Sequence, residues 1–235
     1  MNAVDELRGR TVEEREYYSL SRRVYAIFAY FYDAVVFPFQ KMRRDVASMV
    51  DLKPDSRLLD VATGTGAQAF AFAGKVREVV GIDLSEEMLR VARRKNRFPN
   101  VRFQQGDAAD CQFEDESFDA SCVSFALHEM PMSIRERAVR EMVRVTQRGG
   151  LIIVVDYGLP RNRVASWLAY HAVKLYEPDP YANFVKADVA ALLGREGVEL
   201  EDHRPALLGL AQIVTGRRGR EIRKQASSDS KVREP

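Results

Sequence analysis

Short apolar runs recur along this chain, each followed by a stretch with helical periodicity, and that alternation leaves few folds open. Leu58, Leu59, Asp60 and Val61 form the first such run, entered through the turn residues Lys53, Pro54 and Asp55 and left through glycines. Val79–Asp83, Val101–Gln105, Ala120–Phe125 and Leu151–Val155 repeat the pattern. Ser85 reads as the N-cap of a helix carrying Met88, Leu89 and Ala92. Ser133 and Glu136 have the S-x-x-E form of a capping box, and the helix they open runs to about Thr146, where Gly149 and Gly150 end it. Strands separated by helical segments of this kind make βαβ units. The expected fold class is doubly wound α/β, a mostly parallel Rossmann-like sheet with helices on both faces. Towards the C-terminus, Val164–Tyr176 and Ala187–Arg195 read as helices, and Leu200–His203 and Leu207–Val214 as two closing strands joined in a hairpin.

Ahead of the first strand, residues 13–32 are rich in aromatics, with Val24, Ile27, Phe28 and Phe31 at helical spacing. Pro38 interrupts the pattern, and Lys41–Val50 resumes it with Met42, Val46, Met49 and Val50 on one side. The chain therefore divides into a helical lid or cap over residues 1–50, a ligand-binding domain over 51–216 with an insertion at 160–187, and a polar tail over 217–235. The 36 Lys and Arg against 34 Asp and Glu carry no nucleic-acid signature. The tail holds a local excess of four positive charges, which leaves the folded part mildly acidic. Cys111 and Cys122 have no C-x-x-C spacing, so two buried thiols in a reducing cytoplasm are expected, with neither disulfide nor metal. The opening MNAVDELRGRTVEERE is charged where a secretory signal is apolar, and no run of 18 apolar residues follows. A cytoplasmic, non-spanning chain is the expectation.

The most informative stretch is LLDVATGTGAQAF, which sets Gly64 and Gly66 at a strand-to-helix turn. Glycine there lets backbone N–H groups approach a ligand. Gly64, Gly66 and Ala69 fit G-x-G-x-x-G/A, and Asp83 follows at the end of the next strand, where an acidic residue holds a ribose hydroxyl pair. That pattern also suits a nicotinamide-dependent oxidoreductase. Charge separates the two: Asp60 stands just before the loop, where a pyrophosphate is repelled and an ammonium is attracted. Asp107, in GDAAD after the third strand, can meet an adenine amino group. All three carboxylates lie outside the carboxyl ends of adjacent strands, where ligands of open α/β sheets bind.

In order along the chain, LLDVATGTG, VVGIDLSEEML, GDAAD, FDASCVSFALHEM and REMVRVTQRGGLIIVVDY resemble the class I S-adenosylmethionine-dependent methyltransferases, over roughly residues 23–216. The DVATGTG form, the Tyr32-Asp33 pair and the EMVRV segment are similar to the quinone C-methyltransferase branch and to bacterial phospholipid N-methyltransferases. Ala62 departs from the wider family, which has glycine there. The resemblance implies a seven-stranded sheet with its last strand antiparallel and S-adenosylmethionine as cofactor. It implies Asp60, Ala62, Gly64, Thr65 and Gly66 around the methionine moiety, Asp83 on the ribose, Leu84 and Met88 flanking the adenine, and Asp107 and Ala108 at its edge. Ser124 and Phe125 then border the sulfonium, and Tyr32 closes over the cofactor.

His128 is the best-placed candidate for a base or acceptor-orienting group, with Glu129 and Tyr157 on the same rim; a histidine there also serves as a structural hydrogen-bonding residue. The acceptor is expected to be a small molecule or lipid-like. The segment Tyr25–Phe39 holds seven aromatics and reads as a lid; flanked by Arg22, Arg23, Lys41, Arg43 and Arg44, it reads alternatively as a peripheral membrane contact. The insertion, with Trp167, Tyr170, His171 and Tyr176, forms the other acceptor wall, unless Trp167 is core. A non-catalytic cofactor-binding partner subunit is a further alternative, and the oligomeric state is open.

Overall fold

Leu58 and Leu59 point to opposite faces of one sheet, as successive strand residues must, and both are fully buried because helices cover both faces. The computed structural model describes residues 10–20, 39–160, 162, 166, 167, 171 and 188–219. Its strands are β1 (Arg57–Val61), β2 (Glu78–Asp83), β3 (Val101–Gln105), β4 (Phe118–Ser124), β5 (Thr146–Tyr157), β6 (Val198–Ala206) and β7 (Ala211–Arg218). They form a seven-stranded sheet in the order β3-β2-β1-β4-β5-β7-β6. The first five run parallel, and β7 is antiparallel to both β5 and β6. The doubly wound class and the antiparallel last strand are as the sequence implies.

The helices are α1 (residues 12–20), α2 (Gln40–Met49), α3 (Ala67–Phe72), α4 (Glu86–Lys95), α5 (Met132–Val145) and α6 (Val189–Arg195). One face of the sheet packs Leu59, Val80, Ile152 and Val154 with Tyr18 of α1, with α5 and with α6; the other packs Leu58, Val79, Ile153 and Val155 with α2, α3 and α4. Ser85 caps α4 as expected, its hydroxyl accepting the Met88 N–H. Asp188 does the same for α6 through the Ala191 N–H. No helix among the described residues is long and apolar enough to cross a membrane.

Several local expectations are corrected. Ser133 is not a cap: Pro131 occupies that position, and the Ser133 hydroxyl donates to Glu14 Oε1 of α1 at 2.8 Å. The reciprocal capping box lies at Thr11 and Glu14 instead, each backbone N–H donating to the other's side chain. Gly149 and Gly150 do not end α5. That helix stops at Val145, where the Thr146 hydroxyl donates to the Met142 carbonyl at 2.7 Å, and the glycines lie within β5, in an irregular stretch between its pairings at Thr146 and Leu151. At Gly150 a Cβ would meet Asp119 O at 2.7 Å, so only glycine fits the stretch. Phe125 is not a strand residue, because its φ of 53° turns the chain out of β4. Leu207 to Gly209 form the hairpin turn on three positive φ values rather than opening β7, which extends instead to Arg218. Arg217 and Arg218 thus belong to the sheet, paired with Glu201 and Glu116.

Candidate functional site

At the carboxyl rim of β1, β2 and β4 the chain makes a sharp turn that none of the regular elements could. Ala62 (φ 51°), Gly64 (φ 56°) and Gly66 (φ 82°) all take left-handed conformations, and the Thr63 N–H returns to the Ile82 carbonyl at 2.9 Å. Gly66 is the N-cap of α3, and a Cβ there would stand 2.7 Å from the Phe103 ring. Ala62, the departure from the family's glycine, therefore sits in glycine's conformation.

Two adjoining spaces flank this loop and share Ala62 and Gly64. The larger cleft, about 610 Å³ and open to solvent, is lined by Leu84 and Met88 beside Asp83, with Gly106 and Ala108 at one edge and Phe125, Ala126 and Glu129 at another. Asp83 accepts the Gly64 N–H and the Ser85 N–H, both at 2.8 Å, one on each carboxylate oxygen. Burial, only partly offset by these two bonds, pushes its carboxyl up to about 6.

The smaller space, about 290 Å³, is polar, lined by Arg43, Asp60, Thr63, Thr65, Gln68 and Ser124 among others. Asp60 Oδ2 accepts the Thr63 hydroxyl at 2.5 Å. Its other oxygen, Oδ1, together with Gln68 Oε1 and Ser124 Oγ, is buried without a hydrogen-bond partner among the described residues. Buried polar atoms left so are rare, because each forgoes its bond to water. Burial pushes the Asp60 carboxyl up to about 7, against the Thr63 hydrogen bond and the Arg43 charge, which pull it down. Three acceptors converging beside a guanidinium suit a group that is both ammonium and carboxylate.

On the acceptor side, Asp156 and Tyr157 at the end of β5 face the 3-10 turn Leu127–Glu129. His128 Nδ1 lies 2.7 Å from Asp156 Oδ1, and its ring stacks edgewise on Tyr157 at 4.6 Å. Arg135, 2% exposed, donates to the carbonyls of Leu127 and Met130 and so fastens the turn to α5. His128 itself is 2% exposed, whereas Glu129 lines the cleft.

The structure thus brings Asp60, Ala62, Gly64, Thr65, Asp83, Leu84, Met88, Ala108, Ser124, Phe125 and Glu129 to the two spaces. Gly66 serves the turn from behind. Asp107 stands outside the lining, its Oδ2 accepting the Tyr18 hydroxyl at 2.7 Å and its Oδ1 the Ala109 N–H at 2.9 Å. Tyr32, most of the aromatic segment and most of the insertion lie outside the described residues. Trp167, at 61% exposed, is not core, and Arg43 faces inward, which removes it from any basic outer surface. Both thiols are buried and free, and burial raises Cys111 to about 12.

Sequence reasoning missed Tyr17, Arg43, Gln68, Arg135 and Asp156. Tyr17 lines the cleft from α1, its phenol pushed well above the usual range by burial and then by the charge of Glu129. The inward period of α2 (Met42, Val46) includes position 43, the one available signal for Arg43.

Residues 58–150 match a family model described as a methyltransferase domain. A demethylmenaquinone methyltransferase of Paenarthrobacter aurescens is 36% identical over 121 residues, 52% of this chain and 46% of that protein. A ubiquinone/menaquinone biosynthesis C-methyltransferase of Geotalea daltonii is 28% identical over 199 residues, 74% of this chain and 83% of that one. The chain spans about half the length of the curated relatives it matches at higher identity. Among solved structures, a putative methyltransferase of Haloferax volcanii, in complex with a methyltransferase activator, superposes with a TM-score of 0.68 at 15% identity, covering 85% of this chain and 98% of that one. That likeness is one of fold.

Proposed function

With residues 58–150 belonging to the methyltransferase domain family and the fold that of the class I enzymes, we propose that this chain transfers a methyl group from S-adenosylmethionine to a small or lipid-like acceptor. The observation that carries the reading is the polar space, where Asp60 Oδ1, Gln68 Oε1 and Ser124 Oγ lack partners beside Arg43. An amino-acid ammonium has three N–H donors to give them, and its carboxylate suits the guanidinium. A pyrophosphate in the same place would meet two carboxylates, which speaks against the nicotinamide alternative.

When bound, the cofactor supplies an electrophilic methyl carbon and a good leaving group. The chain's own share is alignment. Asp83 holds the ribose hydroxyls on the lone pairs left by the Gly64 and Ser85 bonds, and Leu84 and Met88 hold the adenine. Phe125 and Ala126 separate the methionine end from Glu129 and the acceptor side. Near-attack positioning of this kind supplies about 7–11 kcal/mol of a displacement barrier. The names of the relatives support a reduced quinone ring as the acceptor, methylated at carbon.

Calorimetry with S-adenosylhomocysteine and with NADH tests the class: heat from the first alone is expected, and heat from NADH alone would replace the reading by an oxidoreductase. Incubation with methyl-labelled cofactor and a fractionated lipid and metabolite extract then identifies the acceptor by mass. Binding with no label transferred to any fraction would favour the non-catalytic partner subunit.

A further inference from the structure

We propose that Asp156, His128 and Glu129 form a proton relay that opens on the cleft, with Glu129 meeting the acceptor's proton and Asp156 acting as a positioning residue. The proposal rests on the methyltransferase reading above and fits acceptors that must lose a proton, such as a phenol or hydroquinone.

Asp156, buried completely, receives four contacts. Oδ2 accepts the N–H of Leu127 at 3.0 Å and of His128 at 3.3 Å; Oδ1 accepts the Tyr157 N–H at 2.7 Å and lies 2.7 Å from His128 Nδ1. Three backbone donors hold the side chain as a carboxylate, and a carboxylate only accepts. The fourth contact must therefore be an Nδ1–H donor, which leaves the basic lone pair on Nε2. Nε2 lies 3.7 Å from Glu129 Oε1, and Glu129 lines the cleft. Two acceptors that close share a proton well, and catalytic contacts commonly tighten when substrate binds.

The balance is simple. The acceptor O–H bond breaks, its electron pair stays on the acceptor oxygen, and the proton passes through Glu129 to His128 Nε2. The imidazolium formed is stabilised by Asp156, and Glu129 returns to carboxylate. The other polar groups facing the relay are Arg135 from α5, Tyr157 from β5 and Tyr17 from α1.

Nitrogen NMR of histidine-labelled protein tests this without an acceptor. The chain has three histidines, so His171→Asn and His203→Asn assign the spectrum. With S-adenosylhomocysteine present, neutral His128 is expected as the Nδ1–H tautomer. Asp156→Asn should release that tautomer and lower the proton affinity of His128 about tenfold or more, the effect of removing an adjacent opposite charge. Glu129→Gln should keep the tautomer while lowering the affinity, and it stands as the test if Asp156→Asn does not fold. An Nε2–H tautomer in the wild type, or a titration indifferent to Glu129→Gln, overturns the relay. Failure of S-adenosylhomocysteine to bind at all would instead overturn the methyltransferase reading.

Discussion

Lowering the pH from 8 to 5 should weaken S-adenosylhomocysteine binding by about a hundredfold, because the carboxylate that receives its ammonium must first lose a proton. Asp60 titrates at about 7 in the free protein, held there by burial. Above that value the site is ready. At pH 6 about one molecule in ten is ionised, and at pH 5 about one in a hundred, so affinity falls by those factors. The same burial acts in reverse on the free protein. Its folded value lies above the unfolded 3.8, so the stabilisation is present below the unfolded value and is lost as pH rises through about 7, on the order of 4 kcal/mol in all. Asp60→Asn removes both effects. At pH 8 it should raise the melting temperature of the free protein by several degrees while costing the ligand a charge-assisted hydrogen bond, about 1.5–3 kcal/mol. Titration calorimetry at pH 8, 7, 6 and 5, in buffers of differing protonation enthalpy, reads affinity and proton release together. A flat affinity, or an Asp60→Asn protein that is less stable and binds as before, refutes the reasoning.

Gly66→Ala should destabilise the fold by more than about 2 kcal/mol in urea titrations, since φ is 82° and the new Cβ would press on Phe103. Ala62→Gly should do the opposite, gaining about 0.5–1 kcal/mol by the same assay, because the residue already stands at φ 51°. Arg135→Met should leave the Leu127 and Met130 carbonyls buried without their donors. A loss of about 1–3 kcal/mol per carbonyl is expected, with hydrogen exchange accelerated at residues 127–130 first.

The parallel half of the sheet was legible because each strand there is a bare apolar run, buried on both faces, with a helix start after it. The antiparallel half was not read as well. β6 is exposed at most of its positions and β7 borrows two arginines at its end, so neither announces its bounds by hydrophobicity. The false stop at Gly149-Gly150 had the residues of a helix C-cap, but the hydroxyl of Thr146 had already closed the helix. For the site, residues fixed by one turn were readable, as with Asp60, Gly64 and Asp83. Asp156 was not, because an aspartate at the end of an apolar strand looks like a boundary until β4 and β5 lie side by side. Tyr18 and Asp107 are 89 positions apart, and no local pattern joins them.

The order of the sheet has a consequence for how the protein comes into being. β7 is inserted between β5 and β6, so the edge of β5 stays unpaired until residues 211–218 exist. A nascent chain carries a complete glycine turn long before the strand bearing Asp156 has its second neighbour, and during that interval an open, apolar edge invites pairing with other chains. A premature stop inside the final hairpin would therefore strip away one wall of the site and expose a sticky margin, while the nucleoside half of the cleft remained intact.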